Sequence, residues 1–331
     1  MLTTIIPVYN GERYLPATLQ CLAAQTRRPD RLVVLDNCST DQTQQIVQNF
    51  STLKCEWRQN ERNVGLLSNL NRGLQFSAQT QYLHLLMADD LVKPAFYEKL
   101  IPALDSAPGH SLGYSFYEDV DLTGAVIGPV ERQLVGPPRA VRKSFHLSRQ
   151  AELTTVLLPG VIFKTDYQPP VCEFREFPQI ADCLFLAEWA AGCHQIVELP
   201  EYLCQYRLHP FNATSANILN LQSWVLDEWS VMQMILPWIE ESAVRHWLRG
   251  QKLKCLFAAR SYVKVDMMRR TKLEYASQIR ATIHQTVGPF HAFLGWLALR
   301  GRDAFWRLQG RETKTETLVK AGGLAGAPKE K

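Results

Sequence analysis

Eight cysteines are present, but none forms a C-x-x-C pair and none falls at His/Cys zinc spacing. The scatter of Cys21, Cys38, Cys55, Cys172, Cys183, Cys193, Cys204 and Cys255 argues against a thiolate metal centre. It fits reduced, mostly buried thiols in a cytosolic protein. Long apolar runs are also missing. The longest, residues 290–299, falls far short of the roughly 20 residues that cross a bilayer. The first strand pattern begins at Leu2, so no signal peptide is expected, the chain is read as cytoplasmic, and the Asn212-Ala213-Thr214 sequon is read as chance. No G-x-G-x-x-G follows that strand, which excludes a dinucleotide-binding dehydrogenase. No internal repeat is visible, and no nucleic-acid recognition motif accompanies the basic residues.

What remains is ordinary globular composition, 46% hydrophobic and 21% charged, in 331 residues. That length can bury a full core and suggests one large domain with an appendage. The net charge of +4 hides an asymmetry. Residues 243–331 carry eighteen Lys and Arg against six Asp and Glu, so the rest of the chain is acidic.

Two apolar runs, Leu2–Val8 and Arg31–Asp36, each end in polar, helix-starting residues about one βα unit apart. Ligands in open parallel sheets sit at the carboxyl ends of strands. Tyr9 and Asp36 therefore meet at one edge, a setting suited to a planar base and a ribose. An acidic domain that binds a diphosphate needs an offsetting charge, and a divalent cation is expected.

Further along, Leu15, Leu19 and Leu22 share a helical face, and Ser39 or Thr40 caps a helix running to about Phe50. Residues 53–58 read as a third strand, 63–75 as a helix and 82–87 as a fourth strand ending at Ala88-Asp89-Asp90. Pro94 is placed in the first turn of the next helix. Residues 111–117 and 119–126 read as a hairpin around Gly124, and 128–149 as a long functional loop. A strand at 161–164, a helix at 181–192 and two short strands at 195–199 and 202–208 follow. From Leu219 the chain reads as helical, and residues 311–331 as a frayed tail.

Five short patterns now occur in order: Pro7-Val8-Tyr9-Asn10, Asp36-Asn37-Cys38-Ser39-Thr40-Asp41, Asn63-x-Gly65 with Asn71-x-Gly73, Met87-Ala88-Asp89-Asp90, and Asp182 followed by Tyr206-Arg207-x-His209. Together they resemble glycosyltransferase family 2, the inverting family with the GT-A fold. The resemblance covers roughly residues 1–215. It implies a GT-A domain over 1–215; charge and pattern alone read 216–310 as a basic helical extension and 311–331 as a flexible tail. It also implies sugar transfer from a nucleotide diphosphate to a hydroxyl on a glycan or lipid-linked acceptor, in the building of a bacterial cell-surface polysaccharide or lipopolysaccharide.

That chemistry needs a base for the hydroxyl and charge stabilisation for the departing diphosphate. By resemblance, Asp182 is the base, with Glu176 and Asp166 as spare candidates. Asp89 ligates Mn²⁺ or Mg²⁺, and His209 completes the metal shell or reaches the diphosphate. Arg207 is assigned to the phosphate side. Tyr9 and Asp36 contact base and ribose, and the Asn37 carbonyl accepts from a uracil or thymine imide, favouring UDP or dTDP over GDP. Pro7, Asn10, Asn63, Gly65, Asn71, Ala88 and Asp90 complete the donor set. Met87 departs from the family's first carboxylate at that position, which leaves fewer protein ligands for the metal.

The extension lies beyond the resemblance. Phe290, Phe293, Leu294, Trp296, Leu297, Phe305 and Trp306 alternate with Arg300, Arg302 and Arg307. Such a helix suits an anionic membrane interface; a helical cap on the sheet or a homodimer contact is the alternative. Two rival functions remain open. A nucleotidyltransferase needs a Gly-rich basic loop, for which Gly11-Glu12-Arg13 is a poor substitute; a catalytically inactive binding module is suggested by Met87 and by Ala181 before Asp182.

Overall fold

The computed structural model describes residues 1–127, 136–153, 156–209, 218–269 and 272–308. The sequon at 212 and the tail at 311–331 lie outside them, as do the side chains of Trp306 and Arg307. Strands β1 (Leu2–Val8), β2 (Arg31–Asp36), β3 (Cys55–Gln59) and β4 (Tyr82–Leu85) form a parallel group in the order β3-β2-β1-β4. Their β-branched and leucine side chains are buried on both faces, as a helix-covered parallel sheet requires. Helices α1 (Leu15–Ala23), α2 (Thr43–Asn49) and α3 (Leu66–Leu74) make the crossovers. Leu15, Leu19 and Leu22 of α1 all point into the core. The α2 helix starts at Thr43 rather than at Ser39 or Thr40. The Ser39 amide is instead drawn back to the Asp36 carboxylate.

Beyond β4 the sheet turns mixed. A two-residue β5 (Leu91–Val92) precedes α4 (Phe96–Asp105), which begins two residues after Pro94. Strand β6 (Ser111–Val120) turns through Gly124, at φ +88°, into β7 (Val126–Ile127). A hairpin is there, but most of the expected second strand, 119–126, is the end of β6 and the turn, so only two residues return. The segment 128–149, expected as loop, holds β8 (Arg139–Val141) and most of α5 (Lys143–Ala151) within its described residues. Strand β9 (Val161–Lys164) lies antiparallel between β4 and β6. Helix α6 (Ala181–Gly192) then leads into β10 (Gln195–Arg207), one strand bulged near Tyr202 where two were expected.

The extension comprises α7 (Asp227–Ile235), α8 (Ala243–Met268) and a helical stretch Leu273–Leu308 broken at Gly288, whose φ of +78° only glycine adopts readily. Its halves are α9 (273–287) and α10 (289–308). Tyr262 meets His284, whereas Gln251, Cys255 and Asp266 meet His291, Gly295 and Arg300 in turn. Helix α9 thus runs back along α8, and α10 reverses again beside it. One apolar core runs from Ile5 and Phe163 through Phe185 and Trp189 to Phe257, Ile279 and Leu299. The extension is packed into the sheet's own core.

Candidate functional site

The β1–β4 ladder ends at the Ile5–Leu85 pair, so the two strands part where Pro7, Tyr9 and Met87-Ala88-Asp89-Asp90 follow. Pro7 lies past that last rung, where its missing N–H costs the β4 ladder nothing.

The loops after β1 and β2 lock together through reciprocal side-chain to backbone bonds. The Asn10 N–H donates to Ser39 Oγ (2.8 Å), and Asn10 Oδ1 accepts from the Thr40 N–H (2.9 Å). Gly11 N–H donates to Thr43 Oγ1 (2.8 Å), and Asp41 accepts from the Glu12 N–H (2.9 Å). Asn10 and Cys38 sit at φ +52° and +68°, left-handed values that asparagine tolerates well. Tyr9 is left half exposed above this frame.

Asp36 is fully buried, and its carboxylate accepts from the Ser39 N–H, the Ser39 hydroxyl and Gln59 Nε2 (2.9 Å). Asn37 is also saturated. Its amide oxygen accepts from Asn60 Nδ2 (3.0 Å) and the Val64 N–H (2.9 Å), while Nδ2 donates to Asn63 Oδ1 (2.7 Å). An amide oxygen has two lone pairs, so none is left for a base imide. Asn60 passes the chain on to Asn69 Oδ1 (2.8 Å) and accepts from Arg72 (2.7 Å). This asparagine network fixes the 60–65 loop, and Gly65, at φ +84°, starts α3 from it. Asn71 faces the other way. It exchanges two hydrogen bonds with the Phe174 backbone, at 3.0 and 2.7 Å, and so ties α3 to the segment leading into α6.

After β4, Asp89 and Asp90 diverge. Asp90 is buried and accepts from the Arg207 N–H (3.0 Å). Burial and the neighbouring Asp89 charge push its carboxyl well above the usual carboxylate range. Asp90 therefore anchors its own loop, helped by the Thr18 hydroxyl, which donates to the carbonyls of Ala88 and Asp90. Asp89 is partly exposed, and its Oδ2 lies 2.9 Å from His209 Nε2. The Arg207 guanidinium donates to the carbonyls of Asp89 (2.9 Å) and Leu122 (3.2 Å). The Tyr14 ring packs 4.5 Å from His209 and 5.3 Å from the Arg207 guanidinium. Thus Asp89, His209, Arg207 and Asp90, 120 residues apart at their extremes, form one corner. Tyr14 belongs to it and was not singled out in the sequence, where it reads as one more aromatic of a helix start.

A metal fit depends on the donors in that corner. Among the described residues no group of three or more His, Cys, Asp or Glu side chains converges as a metal cage. Asp89 and His209 offer two donors on one side. Small divalent cations often take only one or two protein ligands, with the remainder from substrate phosphates and water. Two donors fit that pattern.

Asp182 stands apart, in the first turn of α6. Helix α6 turns through a short connection, residues 193–194, into β10. Burial raises the Asp182 carboxyl above the usual range, opposed by the N–H groups of Cys183 and of Asp182 itself. Of the spare candidates, Asp166 lies at the opposite edge of the sheet, its N–H near the Gln81 carbonyl at the start of β4. That removes it from the site. Glu176 is exposed on the loop before α6.

Behind α6, Glu228 of α7 meets Arg260 (3.0 Å) and Lys264 (2.9 Å) of α8; Glu228 and Lys264 are buried and Arg260 is partly exposed. Burial would raise the Glu228 carboxyl, but the two cations hold it down to about 2. The Arg260 charge also reaches Cys183, next to Asp182.

Known proteins share both the sequence pattern and this architecture. The family model described as glycosyl transferase family 2 matches residues 3–125. An uncharacterized glycosyltransferase of Haemophilus influenzae is 30% identical over 226 residues, 65% of this chain and 68% of that protein. Poly(ribitol-phosphate) beta-N-acetylglucosaminyltransferase TarS of Staphylococcus aureus is 41% identical over 66 residues, 19% of this chain and 12% of TarS. In three dimensions the crystal structure of S. aureus TarS 1–349 with UDP-GlcNAc matches at a TM-score of 0.62 and 21% identity, over 86% of this chain and 81% of that one. The mannosyltransferase PcManGT from Pyrobaculum calidifontis, with GDP-Man and Mn²⁺, matches at 0.55 and 14% identity, over 97% and 85%. The mixed sheet, its flanking helices and the C-terminal helices are those of the GT-A type. The chain is a glycosyltransferase and belongs to glycosyl transferase family 2.

Proposed function

We propose that the chain transfers a sugar, with inversion, from a nucleotide-diphosphate donor to an acceptor hydroxyl. The observation that carries this reading is the meeting of Asp89 and His209 at 2.9 Å beside Arg207 at the carboxyl ends of β4 and β10.

The base and ribose would rest against Tyr9 and Asp36, on the frame set by Asn10, Asn37, Asn63 and Gly65. The saturated Asn37 makes that frame rigid rather than reading the base itself. UDP or dTDP remains the favoured donor nucleotide, supported by UDP-GlcNAc in TarS, though PcManGT holds GDP-Man. Asp89 and His209 would hold a divalent cation together with donor phosphate oxygens. Bound there, that cation supplies charge neutralisation for the departing diphosphate. Arg207 holds the Asp89 backbone in place, and Asp90 anchors Arg207.

Asp182 accepts the proton of the acceptor hydroxyl as its oxygen attacks the anomeric carbon. The bond from that carbon to the diphosphate oxygen breaks, and the nucleoside diphosphate leaves. A carboxylate with a raised pKa is a stronger base and is better matched to this task near neutral pH. Residues 1–215 would supply this machinery, and the helices from 216 onward its support. A role in cell-surface polysaccharide or lipopolysaccharide synthesis, on a glycan or lipid-linked acceptor, agrees with the poly(ribitol-phosphate) polymer that TarS is named for.

The test is a thermal-shift panel of nucleotide-sugars with and without Mn²⁺, followed by turnover of the stabilising donor. Metal-enhanced stabilisation by one donor, with release of its nucleoside diphosphate, supports the reading. Stabilisation without any hydrolysis or transfer supports the inactive binding module instead.

A further inference from the structure

Helix α10 is apolar on both sides. Ala292, Gly295 and Leu299 face α8, with Gly295 so close that a Cβ there would lie 2.5 Å from the Cys255 carbonyl oxygen. A helix apolar all round is normally buried all round. Here Phe290, Phe293, Leu297 and Phe305 each stand more than half exposed. Trp247 and Leu248, at the start of α8, do the same. They lie one turn from Gln251, which bonds His291 (2.9 Å), so the two exposed sets adjoin.

The flank beside them is basic. A cleft of ≈ 410 Å³ between α5 and α8 is lined by Arg142, Phe145, Arg149, Arg245, Arg249 and Lys252, with Glu152, Glu240 and Glu241 among them. Arg249 and Lys252 pair with those acids, whereas Arg142 and Arg245 make no ion pair among the described residues. Residues 243–308 as a whole hold thirteen Lys and Arg against three Asp and Glu.

We propose that this face docks on an anionic lipid surface. The apolar side chains enter the acyl boundary, and Arg245 and Arg142 take lipid phosphates at its rim. Two features favour lipid over a protein partner. The side chains project from helices rather than line a groove, and a fluid interface accepts projecting groups without a matching cavity. Aromatic and aliphatic groups flanked by Arg and Lys are also the pattern of interfacial helices. A surface that shares the basic flank must be acidic.

The experiment is sedimentation of the full chain with vesicles of phosphatidylcholine alone or mixed with phosphatidylglycerol. Co-sedimentation with the mixed vesicles at low salt, lost at high salt and weak on phosphatidylcholine, supports the proposal. Phe290→Ser/Phe293→Ser/Leu297→Ser should weaken it by about tenfold or more, and Arg245→Gln by roughly fivefold. Both variants should keep the thermal shift given by the stabilising nucleotide-sugar, which separates lost docking from lost folding. Absence of sedimentation at low salt by a protein that still binds donor overturns the proposal. So does a dimer, seen by light scattering, that the triple variant dissociates, because a second copy then covers the face.

Discussion

The nucleotide side and the acceptor side of the proposed site are built by opposite means. On the nucleotide side, short polar residues at strand ends spend most of their hydrogen bonds on each other. Asn10, Asp36, Asn37, Asn60 and Asn63 form a closed set of loops on which Tyr9 stands. On the proposed acceptor side a single half-buried carboxylate, Asp182, meets two local N–H groups among the described residues. Satisfied networks hold shape; a desolvated, under-bonded carboxylate holds reactivity. The proposed function gives geometry to one side and proton transfer to the other.

The sharpest way to break that contrast is Asp182→Asn. Turnover should fall by about 10²–10⁴, the usual worth of a general base, while the donor-induced thermal shift stays unchanged. Near-normal turnover would return Asp182 to a helix-terminal charge, whose dipole interaction explains an acidic first turn without any catalytic role.

The acceptor side also leans on the extension. Glu228→Gln leaves the buried Lys264 without its counter-charge, while the partly exposed Arg260 can turn to water, and should cost about 3 kcal/mol in denaturant unfolding. Because Glu228 is held at about 2 when folded, its contribution is complete above its unfolded value near 4.3. It is lost as pH falls through that window toward about 2, since the unfolded chain then binds the extra proton.

On the nucleotide side the matching change is Asn37→Ala. It strips partners from Asn60, Asn63 and the Val64 N–H, and should cost about 1–3 kcal/mol of stability. Donor affinity should weaken with little change in kcat, because the loop rather than the chemistry is disturbed. A kcat effect larger than the KM effect would mean that Asn37 touches the reaction.

The smallest effect is in pH. Burial favours the protonated form of Asp182, so the folded group keeps its proton to a higher pH than the unfolded one. A base must be deprotonated, so the acid limb of kcat/KM should lie above the ordinary aspartate value near 3.9. Asp182→Glu should move that limb, whereas Asn37→Ala should not.

The nucleotide side was the more legible in sequence, and the reason is physical. Its residues sit on consecutive strand ends, so Tyr9, Asp36 and Asp89 fall at one edge once β1, β2 and β4 are read as parallel. The ends of those strands were readable to within a few residues. What sequence could not supply was which polar atoms satisfy which. Asn37 and an exposed base-reading asparagine look alike until Asn60 and Val64 are in place. The segment 128–149 reads as loop because its prolines, glycines and arginines obscure a short strand held by β10 and a helix held by α6. The reach of Arg207 and His209 back to Asp89 was visible only through the resemblance, since no local pattern encodes a contact 120 residues away. The Glu228–Arg260–Lys264 cluster had no signal, because buried and solvated charges share one alphabet.

The most direct measurement compares wild type and Asp89→Asn by thermal shift with UDP, dTDP or GDP, each with Mn²⁺ or with chelator. A nucleotide at a hundredfold excess over its dissociation constant adds about 2.7 kcal/mol, enough to move the melting temperature by a few degrees. The wild type should gain more from its preferred nucleotide with Mn²⁺ than with chelator, and Asp89→Asn should lose that metal-dependent gain while keeping the rest. An Asp89→Asn protein with the full Mn²⁺ increment would contradict the account.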